Sequence, residues 1–269
     1  MLAFQDHRTG RPVEFIGLRN FTRALQDPVL YLGLRNTLIF WLSTMPAQII
    51  AAFLVATTML RVLGRRMRGL ASGVYYLPVV TSLVAVTLIF QLMYDKNFGI
   101  LNYFLGFFGV DPISWISNPT MARVSVILLV FWRGVGYYIV LTLAGLMSID
   151  PSLYEYATIE GAGYWKRQWY ITLPMMKTIM LFQVFTGTIA GWNIFLEPFL
   201  LFGGTSSTSG GAGPGSAGLT VGMFVYMEGI ANRRYGYGAA IALMVTVLVT
   251  IIALLQFRVM GSKEGSDNA

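Results

Sequence analysis

The sequence predicts an all-α polytopic membrane protein, and three observations predict it. Only 12% of the 269 residues are charged while 55% are hydrophobic, against about 25% charged in a soluble domain. A chain so poor in charge cannot cover its own surface with polar groups, so much of that surface faces lipid. Five apolar stretches each reach the length of about 20 residues that spans a bilayer as a helix. Their apolar residues are continuous, whereas barrel strands are about 10 residues long and alternate in polarity. Inside hydrocarbon every backbone polar group must be bonded internally, which makes these runs helices.

The stretches are 37–60, 70–94, 122–147 (interrupted by Arg133), 175–195 and 237–257. The net charge is +7, but the Arg and Lys flank apolar runs instead of forming the patch a nucleic-acid binder needs. The absence of Cys excludes disulfides and thiolate metal sites. The single His, His7, reads as a loop residue without a partner ligand. No metal and no cofactor is expected.

Basic residues in short loops orient the helices. Arg61, Arg65, Arg66, Arg68, Lys166, Arg167, Lys177, Arg258 and Lys263 fall on one side, read as cytoplasmic, against Lys96, Arg123, Arg233 and Arg234. Arg8, Arg11, Arg19, Arg23 and Arg35 join the second group and even the tally. A polar tail on the outside needs an earlier helix to carry it across, and residues 1–20 hold no apolar run. The expectation is therefore about five helices with a first one missing before them, or a chain that works with five, and residues 1–35 extracytoplasmic, 36–258 membrane-spanning and 259–269 a cytoplasmic tail. Residues 203–218 (GGTSSTSGGAGPGSAG) read as a flexible outer loop. A phosphate-cradling loop would need Lys and Ser or Thr directly after the glycines, and Leu219-Thr220-Val221 follows instead.

The most informative segment is the loop 148–174, SIDPSLYEYATIEGAGYWKRQWYITLP. Asp150-Pro151 is a helix start, an N-cap acceptor followed by Pro in the first turn. Gly161 and Gly163 can each end a helix by adopting positive φ. A second short piece, 164–170, follows, and Pro174 opens the next spanning helix. Small residues at Ala157, Gly161, Ala162 and Gly163 allow close approach of another surface. Residue chemistry alone leaves lipid headgroups and a partner protein equally open as that surface.

The spacing of this loop resembles the EAA signature of bacterial binding-protein-dependent ABC importer permeases. Glu155, Tyr156 and Ala157 hold its first three positions, Gly161 follows after three intervening residues, and Ile171, Leu173 and Pro174 close it. Tyr156 replaces the first Ala of the signature. Gly17-Leu18-Arg19-Asn20-Phe21 looks like the segment before the second helix of maltose-type sugar permeases, and Tyr76-Leu77-Pro78 like the start of their third. Trp132-Arg133-Gly134-Val135-Gly136-Tyr137 resembles their fourth helix, and Tyr235-Gly236-Tyr237-Gly238-Ala239-Ala240 the start of their last. The resemblance is to the first-type permease of the carbohydrate-uptake group.

That resemblance implies a complex in a bacterial-type inner membrane, with a second homologous permease, two ATP-binding subunits and an extracytoplasmic solute-binding protein. It implies that 152–160 is a coupling helix seated on an ATP-binding subunit, and that this chain is not itself an enzyme. Sugars offer apolar ring faces and hydroxyls, so stacking and hydrogen-bonding side chains are expected along their path. Tyr138, Trp192, Asn193 and Glu197 are the candidates, with Arg133 as an ionisable residue inside a span. Glycerol phosphate, phosphate or polyamine are alternative cargoes, the last disfavoured by the scarcity of carboxylates in the helices. An ion-driven secondary transporter would show inverted repeats and leave the loop unexplained. A membrane enzyme would need a His cluster or a catalytic set that the spans lack.

Overall fold

A computed structural model describes residues 1–7, 9, 12–204 and 210–261, with side chains as far as Arg258. Arg8 and Arg11 of the tail, residues 205–209 of the Gly/Ser segment and 262–269 with Lys263 lie outside the described residues. Two strands of two residues, β1 (Gln5–Asp6) and β2 (Glu14–Phe15), pair antiparallel. Helices α1 (Arg19–Leu25), α2 (Pro28–Val62), α3 (Arg65–Val80), α4 (Leu83–Met93), α5 (Ile100–Gly106) and α6 (Pro119–Met147) follow. Next come α7 (Pro151–Ile159), α8 (Tyr164–Arg167), a wide π-type turn over Gln168–Thr172, α9 (Leu173–Met175) and α10 (Lys177–Trp192). The chain continues through α11 (Leu196–Leu201) and α12 (Val221–Tyr226) to α13 (Tyr235–Gly261).

Among the described residues, α2, α6 and α13 are each long and apolar enough to cross a membrane, and the number reaches five if two bent helix pairs each count as one span. The expected spans thus appear with two corrections. The run 70–94 is not one helix, because Thr81 and Ser82 are extended (ψ 147 and 122) between α3 and α4. Pro78, three residues before the break, has no N–H to give the preceding turn. The run 175–195 is displaced as well. Helix begins at Tyr164, bends by 66° about Met176 and ends at Trp192, so Pro174 lies inside helical structure and opens nothing. Tyr76-Leu77-Pro78 likewise falls in the last turns of α3, not at a helix start. The expected boundary at residue 35/36 lies within α2, which begins at Pro28.

The chain divides into two compact units. The first comprises Met1–Ser43, Ser82–Val130 and Thr188–Ala269. Its apolar core gathers Phe40, Phe90, Tyr94, Trp115, Leu129 and Phe202. Several polar side chains buried there bond to main-chain oxygens, as a low-dielectric interior favours. Asn102 Nδ2 donates to the carbonyls of Lys96 (3.0 Å) and Ile113 (2.9 Å), and its Oδ1 accepts from Trp115 Nε1 at 2.9 Å. Tyr94 O–H donates to the Ser125 carbonyl at 2.9 Å. In the N-terminal segment Asn20 Nδ2 donates to the carbonyls of Ala3 and Gln5, both at 3.0 Å. The Tyr237 hydroxyl at the start of α13 donates to Asp27 Oδ2 at 2.8 Å, with Arg23 over its ring.

The described part of the Gly/Ser segment corrects the expectation of a loose loop. Ala212 and Ala217 are buried, Gly218 N–H donates to the Ala212 carbonyl at 2.8 Å, and Gly213 and Gly218 lie against the Phe202 ring. Asn36 Nδ2 donates to the carbonyls of Ser216 and Leu219, both at 2.9 Å. A run of such small residues permits this close packing, which larger side chains would obstruct.

The second unit comprises Thr44–Thr81 and Phe131–Gly187. Gln183 Nε2 links α10 to α6 by donating to the Tyr138 carbonyl (3.1 Å) and Thr142 Oγ1 (2.9 Å). Helices in lipid associate by close packing at small residues, and Gly136 is such a point: a Cβ there would collide with the Tyr75 carbonyl oxygen. At Gly134 the colliding group is the flexible end of Gln48. Gly136→Ala is therefore expected to cost about 1–3 kcal/mol through overpacking against backbone, and Gly134→Ala clearly less. Thermal unfolding of the purified chain in detergent checks this, and an equal Tm for the two variants would contradict it.

Candidate functional site

The candidate site is the segment from Asp150 to Pro174, all of it within the second unit. The expected helix start is present: Asp150 Oδ1 accepts the Ser152 N–H at 2.9 Å, and Pro151 occupies the first turn. That hydrogen bond holds the Asp150 carboxyl below the usual carboxylate range. A depressed carboxyl stabilises the fold above its unfolded pKa and stops doing so as pH falls through the folded one. The cap is thus in place at neutral pH.

The end of α7 explains the placing of Gly161. Gly161 N–H donates to the Thr158 carbonyl (3.0 Å) and Ala162 N–H to that of Ala157 (2.8 Å). This paired closure is a Schellman motif, which places the residue after the C-cap in the left-handed region. Gly161 has φ +75, where a side chain would cost roughly 1–2 kcal/mol. Gly163 does not share this role: at φ −66, ψ 168 it is extended and precedes α8. Only one glycine is needed to reverse the chain, and the second serves as the entry to the next helix.

Two side-chain links tie α7 to the helix that follows. Tyr154 O–H and Thr172 Oγ1 lie 3.0 Å apart, and Arg167 Nη1 donates to Thr158 Oγ1 at 2.9 Å. Tyr154, Thr158 and Thr172 carry no signal in the sequence that marks them as cross-links, since the pairs form only once the chain has reversed. Glu155, Tyr156 and Pro174 are exposed, whereas Ala157, Ile171 and Leu173 are half-buried. Tyr156, the departure from the signature, is 67% exposed and Ile159 is 81% exposed. The bulk of Tyr156 is therefore accommodated outside the packing of this chain. The result is a short, internally braced helix with apolar side chains on its outer surface.

The residues expected along a solute path divide between the units. Arg133 and Tyr138 belong to the second, Trp192, Asn193 and Glu197 to the first. Tyr138 is buried, with its hydroxyl where a Cβ on Gly187 would sit. Trp192 is only 3% exposed and packs on Trp41 with ring centroids 6.2 Å apart, so no open ring face remains for stacking. Asn193 is exposed instead of facing an interior, and its Nδ2 donates to the Ile189 carbonyl at 2.8 Å. Arg133 and Glu197 are half-buried. Trp41, the partner that shuts Trp192 in, was not foreseen, because the two meet only through the packing of α2 against the end of α10.

Residues 36–260 match the family described as binding-protein-dependent transport system inner membrane component. The lactose transport system permease protein LacF of Rhizobium radiobacter is 33% identical over 92% of this chain and 82% of its own length. The arabinooligosaccharides transport system permease protein AraP of Bacillus subtilis is 30% identical over 98% of this chain and 82% of its own length. Among solved structures, a bacterial ABC transporter involved in the import of the acidic polysaccharide alginate shares the fold. Its TM-score is 0.83 at 22% identity, covering 97% of this chain and 86% of that one. With the match running from α2 to the last turns of α13 and enclosing the braced loop, the chain belongs to the family of inner membrane components of binding-protein-dependent transport systems.

Proposed function

We propose that this chain is a sugar permease subunit of an ABC importer, coupled at α7 to an ATP-binding subunit. The observation that carries the coupling is the braced helix with Tyr156 and Ile159 turned outward. Exposed apolar side chains on a rigid element fit a cleft in a partner better than they fit water. The N-cap, the closure at Gly161 and the two cross-links make α7 a lever, so a pull on it passes into α9 and α10. Hydrolysis of ATP is assigned to the partner, and the path is completed by a second, homologous permease. An extracytoplasmic solute-binding protein delivers the cargo. Alternation between inward-open and outward-open states then requires only that ATP binding favour one of two packings. The segment 1–35 is assigned to the outer side and the C-terminal tail to the cytoplasm.

The saccharide assignment draws on the cargo named for the two permease relatives, lactose and arabinooligosaccharides. Within this chain Asn193 is the polar side chain best presented to such a cargo, since one amide both donates and accepts. In the same unit Trp192 acts as a packed wall and Glu197 as a further polar group, and Arg133 and Tyr138 are the candidates that the second unit contributes.

Ile159→Asp is expected to leave the chain folded, because the position is open, yet to lower recovery of the ATP-binding subunit and solute uptake by roughly tenfold. Gly161→Trp should do the same by undoing the chain reversal. Co-purification and vesicle uptake measure both, and normal values for both variants would refute docking at α7. In complexes that still assemble and hydrolyse ATP, Asn193→Leu is expected to cut uptake of a neutral oligosaccharide by about tenfold, the scale of a lost hydrogen bond to a hydroxyl. Unchanged uptake removes Asn193 from the path.

A further inference from the structure

We infer that the second unit carries a binding site for an anionic phospholipid with a hydroxyl-bearing headgroup, formed where the end of α2 meets the start of the α8–α9 helix. A cleft of about 250 Å³ opens there, lined by Arg61, Tyr154, Tyr164, Arg167, Gln168 and Thr172. Arg61 is stacked on Tyr164, its guanidinium carbon 5.2 Å from the ring centroid. Among the described residues no carboxylate pairs with either Arg61 or Arg167. Arg167 spends one N–H on Thr158, and a guanidinium has five. Gln168 Oε1 is buried and accepts no hydrogen bond.

This set defines its ligand. Two forked cations on one cleft match the oxygens of a phosphate. The unmet amide oxygen asks for a donor beside that phosphate, which a glycerol hydroxyl supplies. Sharing Thr57, Arg61 and Tyr164 with this cleft, a second one of about 460 Å³ runs along Leu54, Val62 and Trp165. These three side chains are 52%, 71% and 67% exposed. The second cleft gives an apolar course for an acyl chain, and an exposed tryptophan such as Trp165 is a side chain that membrane interfaces favour. A soluble phosphate would use the first cleft alone, so the pair of clefts favours a lipid. The inference rests on membrane embedding and not on the cargo or on docking at α7.

The test uses the full chain, purified with its partner subunits in detergent, and phospholipids brominated on the acyl chain, which quench nearby tryptophan. The chain has six Trp, so the difference between the protein and its Trp165→Phe variant isolates the site. Brominated phosphatidylglycerol is expected to quench that component at roughly tenfold lower concentration than brominated phosphatidylcholine. Arg61→Gln with Arg167→Gln should abolish the preference, while Arg61→Lys with Arg167→Lys retains part of it. Gln168→Leu should lower it toward that of phosphatidic acid, which lacks the hydroxyl. Equal quenching by both lipids overturns the inference. Reversal by millimolar glycerol 3-phosphate overturns it in favour of a free-anion site. Absence of quenching in the intact complex, with quenching regained when the ATP-binding subunit is removed, overturns it in favour of a protein contact.

Discussion

A backbone amide inside a bilayer has no water to bond, and leaving it unpaired costs several kcal/mol. That constraint decides most of this structure. It makes every apolar stretch a helix, and it turns polar side chains within the helices back onto their own carbonyls. Thr57 Oγ1 donates to the Phe53 carbonyl at 2.7 Å, and Thr246 and Thr250 donate to carbonyls four residues earlier at 2.8 Å. Burial of the same kind accounts for Asn102, Asn36 and Gln183 each binding main-chain oxygens of a different segment. The amide N–H groups of these three side chains are satisfied by bridging, and in bridging they fix which segments lie side by side.

Hydrophobicity cannot select helix partners in lipid, because the alternative to a neighbouring helix is an equally apolar acyl chain. Shape does so instead. Gly136 admits the Tyr75 carbonyl, and Gly187 admits the Tyr138 hydroxyl. The same small residues let the 210–218 segment press onto Phe202. Irregular backbone at Thr81–Ser82 and the bend at Met176 are held in chain positions flanked by packed helices and adjoin prolines that lack a donor.

The loop between α6 and α10 is built differently from the spans, and its construction joins structure to function. Its helix is too short to be stable by itself. It is held by an N-cap, by the Gly161 closure and by two side-chain links. With the stabilising contacts directed inward, the outer surface is left to apolar groups that none of the described residues covers. The same architecture brings Arg61 and Arg167 to one cleft with no counter-charge among the described residues. The braced segment thus presents exposed apolar side chains at Tyr156 and Ile159 and a cleft lined by two arginines.

Helix existence, the start of α7 and the spacing of the loop were legible in the sequence, because each depends on residues within one or two turns of each other. Length and continuous apolarity suffice for a span, and Asp-Pro for an entry. A glycine four residues past Ala157 suffices for an exit. The break inside 70–94 left only a faint mark, Pro78, since a proline is tolerated within α2 at Pro46 without ending that helix. The packing of the Gly/Ser segment left no mark at all, for it depends on Phe202 and Asn36. Nor could the sequence reveal that Trp41 shuts Trp192 in, that Gly163 is extended while Gly161 is left-handed, or that Arg61 and Arg167 share a cleft. Apart from the two glycines, these are pairings between residues distant in the chain. Local chemistry sets which conformations a segment can adopt, but only the packed tertiary structure sets which surfaces remain open to a partner.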